Sequence, residues 1–539
     1  MAIIEEILSL CPSLEIVSSV KRLNHISLGD GQVATATLIW ILQRVLQNSR
    51  PGERTLAMNF DVLRSPVQFI QQGGISANLD WLREYEAWFE CEGQGISDAV
   101  DRAGTPWLRM FDQLGARVDE ILYPPEYWRM LQHGYRAGVL WRAVEQNSLI
   151  PSYLLLYATA FYDPGLACPY TVSLSTLSPL SKYGGTELKA RFLPNMLRHD
   201  DRVWQGATWM TEIKGGSDLG AAVETEAQQD GSKWRLTGDK YFASNAGAEL
   251  AVVAARGEDA PKTVRGLSLY LVPRRGEDGR LNYLIRRLKN KIATRSVPTG
   301  EIELRNSEGW LLGQAEHGIY LILEVLNLSR VANSVGSVAL AQRAIADAYS
   351  FAEHRTAFGR PVIEHPLLRR QFEERMQGLQ AALKLAWESV RLLDKVWREQ
   401  PPYSESYDLF RLIAHLAKYW TAEFALQTAK WAMEVHGGMG TLQEYRAERW
   451  LREAMILAIW EGTSHRQMLD GLEVMRKKGA HRLLFQHLSG IAPEGQLHEM
   501  EARIERQLTL PEADREGTLE MLFSDLASLT GDALLRRLC

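Results

Sequence analysis

The sequence predicts an α+β protein, mainly helical, with a β domain set between helical regions. Three observations carry this reading. Apolar residues recur three and four apart through 79–92, 127–145 and 188–198, the spacing of helices with one buried face. Near Trp204 the period changes, and 234–237, 250–255, 267–273 and 301–304 are short runs of β-formers or alternation between Gly-, Asp- and Pro-rich turns. Helical period returns near Gly318 in three long patterns, running to Arg355, over 367–399 and over 407–436. Antiparallel helices of that length with short connections predict a four-helix bundle.

These shifts divide the chain into five parts. Residues 1–52 form a helical module ending in the linker Asn48-Ser49-Arg50-Pro51-Gly52. An N-terminal helical domain follows over 53–203, then the β domain over 204–315, the bundle over 316–470 and a polar helical extension over 471–539. With 539 residues and 46% hydrophobic content the chain has material for two to four domains. A net charge of -5 gives no overall basic field for nucleic acid. The four cysteines (Cys11, Cys91, Cys168 and Cys539) are scattered, with no metal-ligand or redox spacing. They predict reduced thiols in a cytoplasmic protein without a metal centre. The N-terminus lacks a signal-peptide pattern. The apolar stretch 149–162 is short and broken by Pro151 and Ser152, so no membrane span is expected.

Five stretches carry residue types suited to chemistry. Glu461 follows the apolar run Met455-Ile456-Leu457-Ala458-Ile459-Trp460 and precedes Gly462 and Thr463. A carboxylate held against aliphatic and indole surface loses water and gains basicity, toward the range useful for proton abstraction. The same residues would also fit an element end with its charge turned outward. Trp209-Met210-Thr211-Glu212-Ile213-Lys214-Gly215-Gly216-Ser217-Asp218 sets hydroxyls around exposed backbone N–H groups, which suits a ring edge or a pyrophosphate, or an ordinary turn. In Gly238–Asn245, Phe242 and Ser244 share one face of a strand. Arg355 ends a helical pattern before Phe358-Gly359, where it serves the helix dipole or reaches a phosphate. Glu434-Val435-His436-Gly437-Gly438-Met439-Gly440 is a helix end or a tight turn, without the strand a dinucleotide fingerprint needs.

In this order the five stretches resemble the acyl-CoA dehydrogenase superfamily, over about residues 120–470. The resemblance implies a helical domain, a β-barrel domain and a four-helix bundle, with FAD as cofactor. It implies that Glu461 is the catalytic base removing the α-proton of an acyl thioester. Trp209, Met210, Thr211, Gly216, Ser217, Phe242, Ser244, Gly462 and Thr463 fall on flavin contacts, and Ser217 on the thioester ligand as well. Arg355 and Phe358 fall on FAD contacts across a subunit interface, with Glu434, Gly437 and Gly438 among the cofactor residues. Asn327 and Arg330 fall where the family meets the CoA adenosine. Some members carry their base beside the position of Arg330, but Leu328 and Ser329 stand there, which leaves Glu461.

The chain departs from the family's common pattern at Glu434, Pro366, Thr441 and Ile213. Glu434, Pro366, the Phe242/Ser244 pairing and the long C-terminal extension look more like the alkylation-response (AidB-like) branch. That branch implies a homotetramer and DNA binding with low turnover. From residue 471 onward, however, nine basic residues face eleven acidic ones, a local net of -2, and phosphate binding needs a basic surface. The expectation is an FAD-dependent acyl-CoA dehydrogenase assembled as a homotetramer or dimer, with an electron-transfer partner. A low-turnover, DNA-protective flavoprotein is one alternative. A dehydrogenase for acyl groups on a carrier protein, docked through residues 1–52, is another.

Overall fold

Helices frame a closed sheet in this computed structural model, which describes residues 59–75 and 78–537. The chain divides into two units at Asn59/Phe60. The helical module expected over 1–52, with Cys11, and Cys539 at the other end lie outside the described residues.

The first region holds α1 (Pro66–Gln72), α2 (Asp80–Trp88), α3 (Gln94–Ala103), α4 (Pro125–Ala137), α5 (Trp141–Glu145), α6 (Ile150–Tyr162), α7 (Ala167–Tyr183) and α8 (Thr186–Met196). α6 is apolar nearly all round, and both it and the Ser- and Thr-rich α7 are almost wholly buried, as central helices must be. The mostly helical reading of this region missed an antiparallel hairpin, β1 (Trp107–Phe111) with β2 (Arg117–Leu122). Its turn is set by Asp112, whose carboxylate accepts from the Leu114 and Ala116 N–H groups, an Asx turn that propensity over a long window hides. Leu108 and Ile121 pack the hairpin on the β-domain core.

The β domain contains β3 (Gly206–Trp209), the one-turn α9 (Leu219–Ala222), β4 (Glu226–Asp230), β5 (Lys233–Ala243), β6 (Leu250–Gly257), β7 (Leu267–Pro273), β8 (Leu284–Leu288) and β9 (Gly300–Leu311). Strand pairing runs β6-β4-β5-β9-β7 and returns from β7 to β6, so the sheet closes into a barrel. β3 and β8 attach to β6 and β9. Closure leaves few free edges. Within β5 the pairing slips between Leu236 and Gly238. Gly238 takes φ +149° there, and an added Cβ would lie 2.6 Å from Thr225, so the bulge needs glycine.

The third region has α10 (Gly318–His354), α11 (Pro366–Val396) and α12 (Glu405–Val435), which pack on one another, and α13 (Ala447–Leu457) and α14 (Ser464–Lys478), which complete the bundle. The sequence patterns matched the three long helices to within a few residues. A minimal hairpin, β10 (Thr356–Ala357) with β11 (Arg360–Pro361), joins α10 to α11. The extension forms α15 (Ala480–Leu488), α16 (Glu494–Thr509), α17 (Glu512–Gly517) and α18 (Leu519–Arg536), with α18 lying against α11 and α12. Among the described residues no helix is long and apolar enough to cross a membrane.

Candidate active site

Glu461 stands on the turn between α13 and α14. Its φ is +57° and that of Gly462 is +96°, so two successive residues take the left-handed region. For glutamate this costs about 1–2 kcal/mol. At Gly462 a Cβ would also meet Gln467 Nε2 at 2.7 Å. The turn is held by donors from three helices. Arg330 Nε of α10 reaches the Glu461 carbonyl at 3.2 Å, and Gln467 Nε2 of α14 reaches the carbonyls of Glu461 and Gly462, each at 3.0 Å. From α12, Lys418 Nζ donates to the Gly462 carbonyl at 2.7 Å and the Ala458 carbonyl at 3.3 Å. His415 Nδ1 donates to Gln467 Oε1 at 2.9 Å and fixes that amide.

The backbone is therefore pinned while the carboxylate is not. Among the described residues none donates a hydrogen bond to the Glu461 side chain. Burial pushes its pKa up to about 7, although Arg330 and Lys418 pull the other way. Loss of water outweighs two nearby cations, which places this carboxyl in the pKa range that suits proton transfer at neutral pH.

Glu461 opens on a cleft of about 1820 Å³, above the usual range for a single small ligand. Its lining brings together Met210, Thr211, Gly216, Ser217, Phe242, Ser244, Asn327, Arg330, Gly462 and Thr463. One wall is apolar, with Cys168, Val172 and Val297 packed on the Trp460 ring. Trp460 Nε1 is hydrogen-bonded to Asn333 Oδ1. Burial pushes the Cys168 thiol up to about 11, so it stays neutral. Lys291 Nζ donates to the Thr294 and Thr299 hydroxyls at 2.9 and 3.0 Å, and burial lowers its pKa to about 8. Arg265, Arg287, Lys289, Arg411 and Arg466 also line the cleft. Among the described residues no cluster of His, Cys, Asp and Glu could hold a metal.

The remaining residues singled out in the sequence lie elsewhere. Trp209 is fully buried, edge-on to Tyr283, and does not line the cleft. Its Nε1 donates to the Ser244 carbonyl at 3.1 Å, so its side chain acts on the cleft through Ser244. Asn327 and Arg330, which do line the cleft, are buried and bonded to each other at 2.9 Å, with Arg330 paired to Asp470 at 3.1 Å. Arg355, Phe358, Glu434, Gly437 and Gly438 do not line the cleft. Phe358 is 97% exposed, and Glu434 pairs with Lys430 at 2.5 Å. The two β-domain motifs share a structural task that the sequence did not show. Buried Lys240 donates to Glu212 Oε1 at 2.6 Å, and Glu212 also accepts from the Thr225 hydroxyl at 2.6 Å. Lys418, Gln467, His415 and Lys291 went unnoticed, and Cys168 was read only as a reduced thiol. Only Lys418 left a trace, as the lone lysine of 412–424.

Comparison with known proteins gives three family-model matches. These are the acyl-CoA dehydrogenase C-terminal domain over residues 316–475, the acyl-CoA dehydrogenase middle domain over 207–307 and the adaptive response protein AidB N-terminal domain over 88–200. The chain is 29% identical over 408 residues to acyl-CoA dehydrogenase family member 11 of Caenorhabditis elegans, covering 72% of this chain and 66% of that relative. It is 29% identical to AidB of Escherichia coli over 77% of this chain and 78% of AidB. It is 30% identical to the mitochondrial short-chain specific acyl-CoA dehydrogenase of Bos taurus over 58% of this chain and 74% of the relative. Among solved structures, Bd2924 in its apo form superposes with a TM-score of 0.78 at 26% identity, covering 87% of this chain and 95% of that one. ACDH-11 of Caenorhabditis elegans in complex with C11-CoA gives 0.75 at 22% identity, covering 92% and 94%.

Proposed function

The chain belongs to the acyl-CoA dehydrogenase family, and from that premise we propose that it is an FAD-dependent acyl-thioester dehydrogenase in which Glu461 removes the α-proton. The observation that carries the proposal is the Glu461 carboxylate. It is desolvated, free of hydrogen bonds from the described residues, raised in pKa to about 7 and presented to the cleft by a pinned backbone.

The residues present fit the cofactor. The cleft has room for two elongated ligands. At Gly216 an added Cβ would approach only Thr211, at 3.3 Å, so the backbone of that loop lies open to a ligand. Hydroxyls of Thr211, Ser217, Ser244 and Thr299 line the same space, together with the flat rings of Phe242 and Trp460. When bound, FAD supplies the acceptor for the hydride leaving the β-carbon. The protein supplies the base, the alignment and an apolar wall that thins the water around the reacting carbons. At the cleft, Arg265 and Arg411 have no carboxylate partner among the described residues and suit the phosphates of a CoA moiety. That C11-CoA occupies a protein of this fold supports an acyl-CoA substrate. Reoxidation requires an external electron acceptor, so an electron-transfer partner belongs to the proposal.

The exposed positions Arg355, Phe358, Glu434, Gly437 and Gly438 complete the reading if a second copy brings them to a neighbouring cofactor. The proposed assembly is a homotetramer or dimer. The test is anaerobic bleaching of the flavin by a panel of short- to long-chain acyl-CoA thioesters. Wild type is expected to bleach with some of them, and Glu461→Gln to keep FAD and lose bleaching. Undiminished bleaching in that variant defeats the assignment.

Matches to the AidB N-terminal model and to AidB itself support a second reading, a low-turnover flavoprotein that binds DNA. It predicts salt-sensitive affinity for duplex DNA. The acidic balance of 471–539 opposes it, and a flat titration at low salt would remove it.

A further inference from the structure

Two cations lie beside Glu461, and they differ in one respect. Arg330 is charge-compensated, because Asp470 pairs with it at 3.1 Å. Lys418 is fully buried and forms no ion pair with any carboxylate among the described residues. We propose that Lys418 is a positioning residue for Glu461. Its ammonium clamps the carbonyls of Ala458 and Gly462 on either side of that residue and sets a positive charge without an ion-pair partner beside the carboxylate. This rests on Glu461 being the base.

Three observations support the assignment. First, the contact does not itself require a charge. The Gly462 carbonyl already receives Gln467 Nε2 at 3.0 Å, and a neutral donor would cap the end of α13 equally well. Burying an ammonium for that purpose alone is costly, and burial lowers its pKa to about 7. Second, Glu461 is the charged group that acts most strongly on Lys418, ahead of Arg330 and Glu423. Third, the ammonium is bound to main-chain oxygens, so it stabilises the ionised carboxylate without occupying the oxygen that must accept a proton.

The charged and titratable groups acting on the pair come from four helices. α10 provides Arg330, and α12 provides Arg411, His415 and Glu423. α14 provides Arg466 and Asp470, and α7 provides the Cys168 thiol. Arg466 is paired with Asp470. Burial holds His415 neutral, with a pKa of about 3. Arg330 acts on Glu461 more strongly than Lys418 does, but Lys418 is the one of the two without a carboxylate ion-pair partner among the described residues.

The test reads Glu461 without turnover. Infrared difference spectra of the full-length, FAD-loaded protein across pH contain a protonated-carboxyl band. The band that Glu461→Gln abolishes belongs to Glu461. Its midpoint is expected near pH 7 in wild type. In Lys418→Met it should move upward by about one pH unit or more, tenfold in proton affinity. Lys418→Gln keeps a donor without the charge and should show the same rise, whereas Lys418→Arg should restore the wild-type midpoint. If Lys418→Met does not fold, Lys418→Gln carries the test. A midpoint that stays in place in the neutral variants overturns the assignment, whatever Glu461→Gln does to bleaching. Loss of the base role would instead appear as bleaching that survives Glu461→Gln.

Discussion

Glu461 combines a left-handed backbone with a carboxylate that water has largely left, and both features oppose folding. Its folded pKa lies above its unfolded value, so the folded state binds the proton more tightly. Its contribution to stability is complete below about pH 4.5 and is lost as pH rises through about 7. Glu461→Gln should therefore be more stable than wild type at pH 8, by about 1–2 kcal/mol, and closer to it at pH 5. Denaturant unfolding at the two pH values checks this. With Glu461 as the proposed base, the same ionisation would set the reaction's acid limb, since a base works only when deprotonated. The kcat/KM of the wild type should rise with pH and level off above about 7, and a profile flat from pH 5 to 8 would contradict it. At this scale the sequence disclosed Glu461 because its neighbours in the chain make its environment. Lys418, Gln467 and His415 stayed hidden because their relation to Glu461 spans helices and no local pattern encodes it.

Elements position these residues, and two of them make separate predictions. Gly462 lies at φ +96° with Gln467 Nε2 where its Cβ would stand. Gly462→Ala should distort the turn, lowering kcat by about tenfold or more while FAD stays bound, as stopped-flow bleaching and flavin absorbance would show. In the barrel, Lys240→Met would strand the Glu212 carboxylate beside Thr225. Breaking a buried pair from one side costs about 3–5 kcal/mol, measurable as a fall in the denaturant midpoint. Long helices were legible because α10, α11 and α12 repeat their apolar spacing over many turns. The β1–β2 hairpin was not, because its short strands are mostly half-exposed and its turn depends on one aspartate. β5 could be read only in pieces, since the bulge at Gly238 breaks its alternation.

At the scale of the whole molecule the extension is tied to the bundle by Glu388 of α11. It accepts from Arg391 at 2.5 Å and His487 of α15 at 2.5 Å, with Arg537 at 3.5 Å. These partners hold its pKa at about 2 despite burial. A lowered folded pKa means stability that is present above about pH 4.5 and lost as pH falls toward about 2. The extension should loosen over that window, and Glu388→Gln should cost about 3 kcal/mol at neutral pH. Limited proteolysis of the 479–537 segment reads both. The exposed Phe358 ring makes the second prediction at this scale. Phe358→Asp should lower the oligomeric mass seen by light scattering and release FAD more readily, if copies meet there.

α12 runs unbroken from Glu405 to Val435. It carries Lys418 near its centre and Glu434 at the end where a second copy is proposed to dock. Sixteen residues separate the two, roughly 24 Å of stiff rod. Such a rod slides or turns as one piece. If a second copy docks at that tip as proposed, a push there would carry to the ammonium beside Glu461, and the proton affinity of Glu461 in one copy would then report whether its companion is seated.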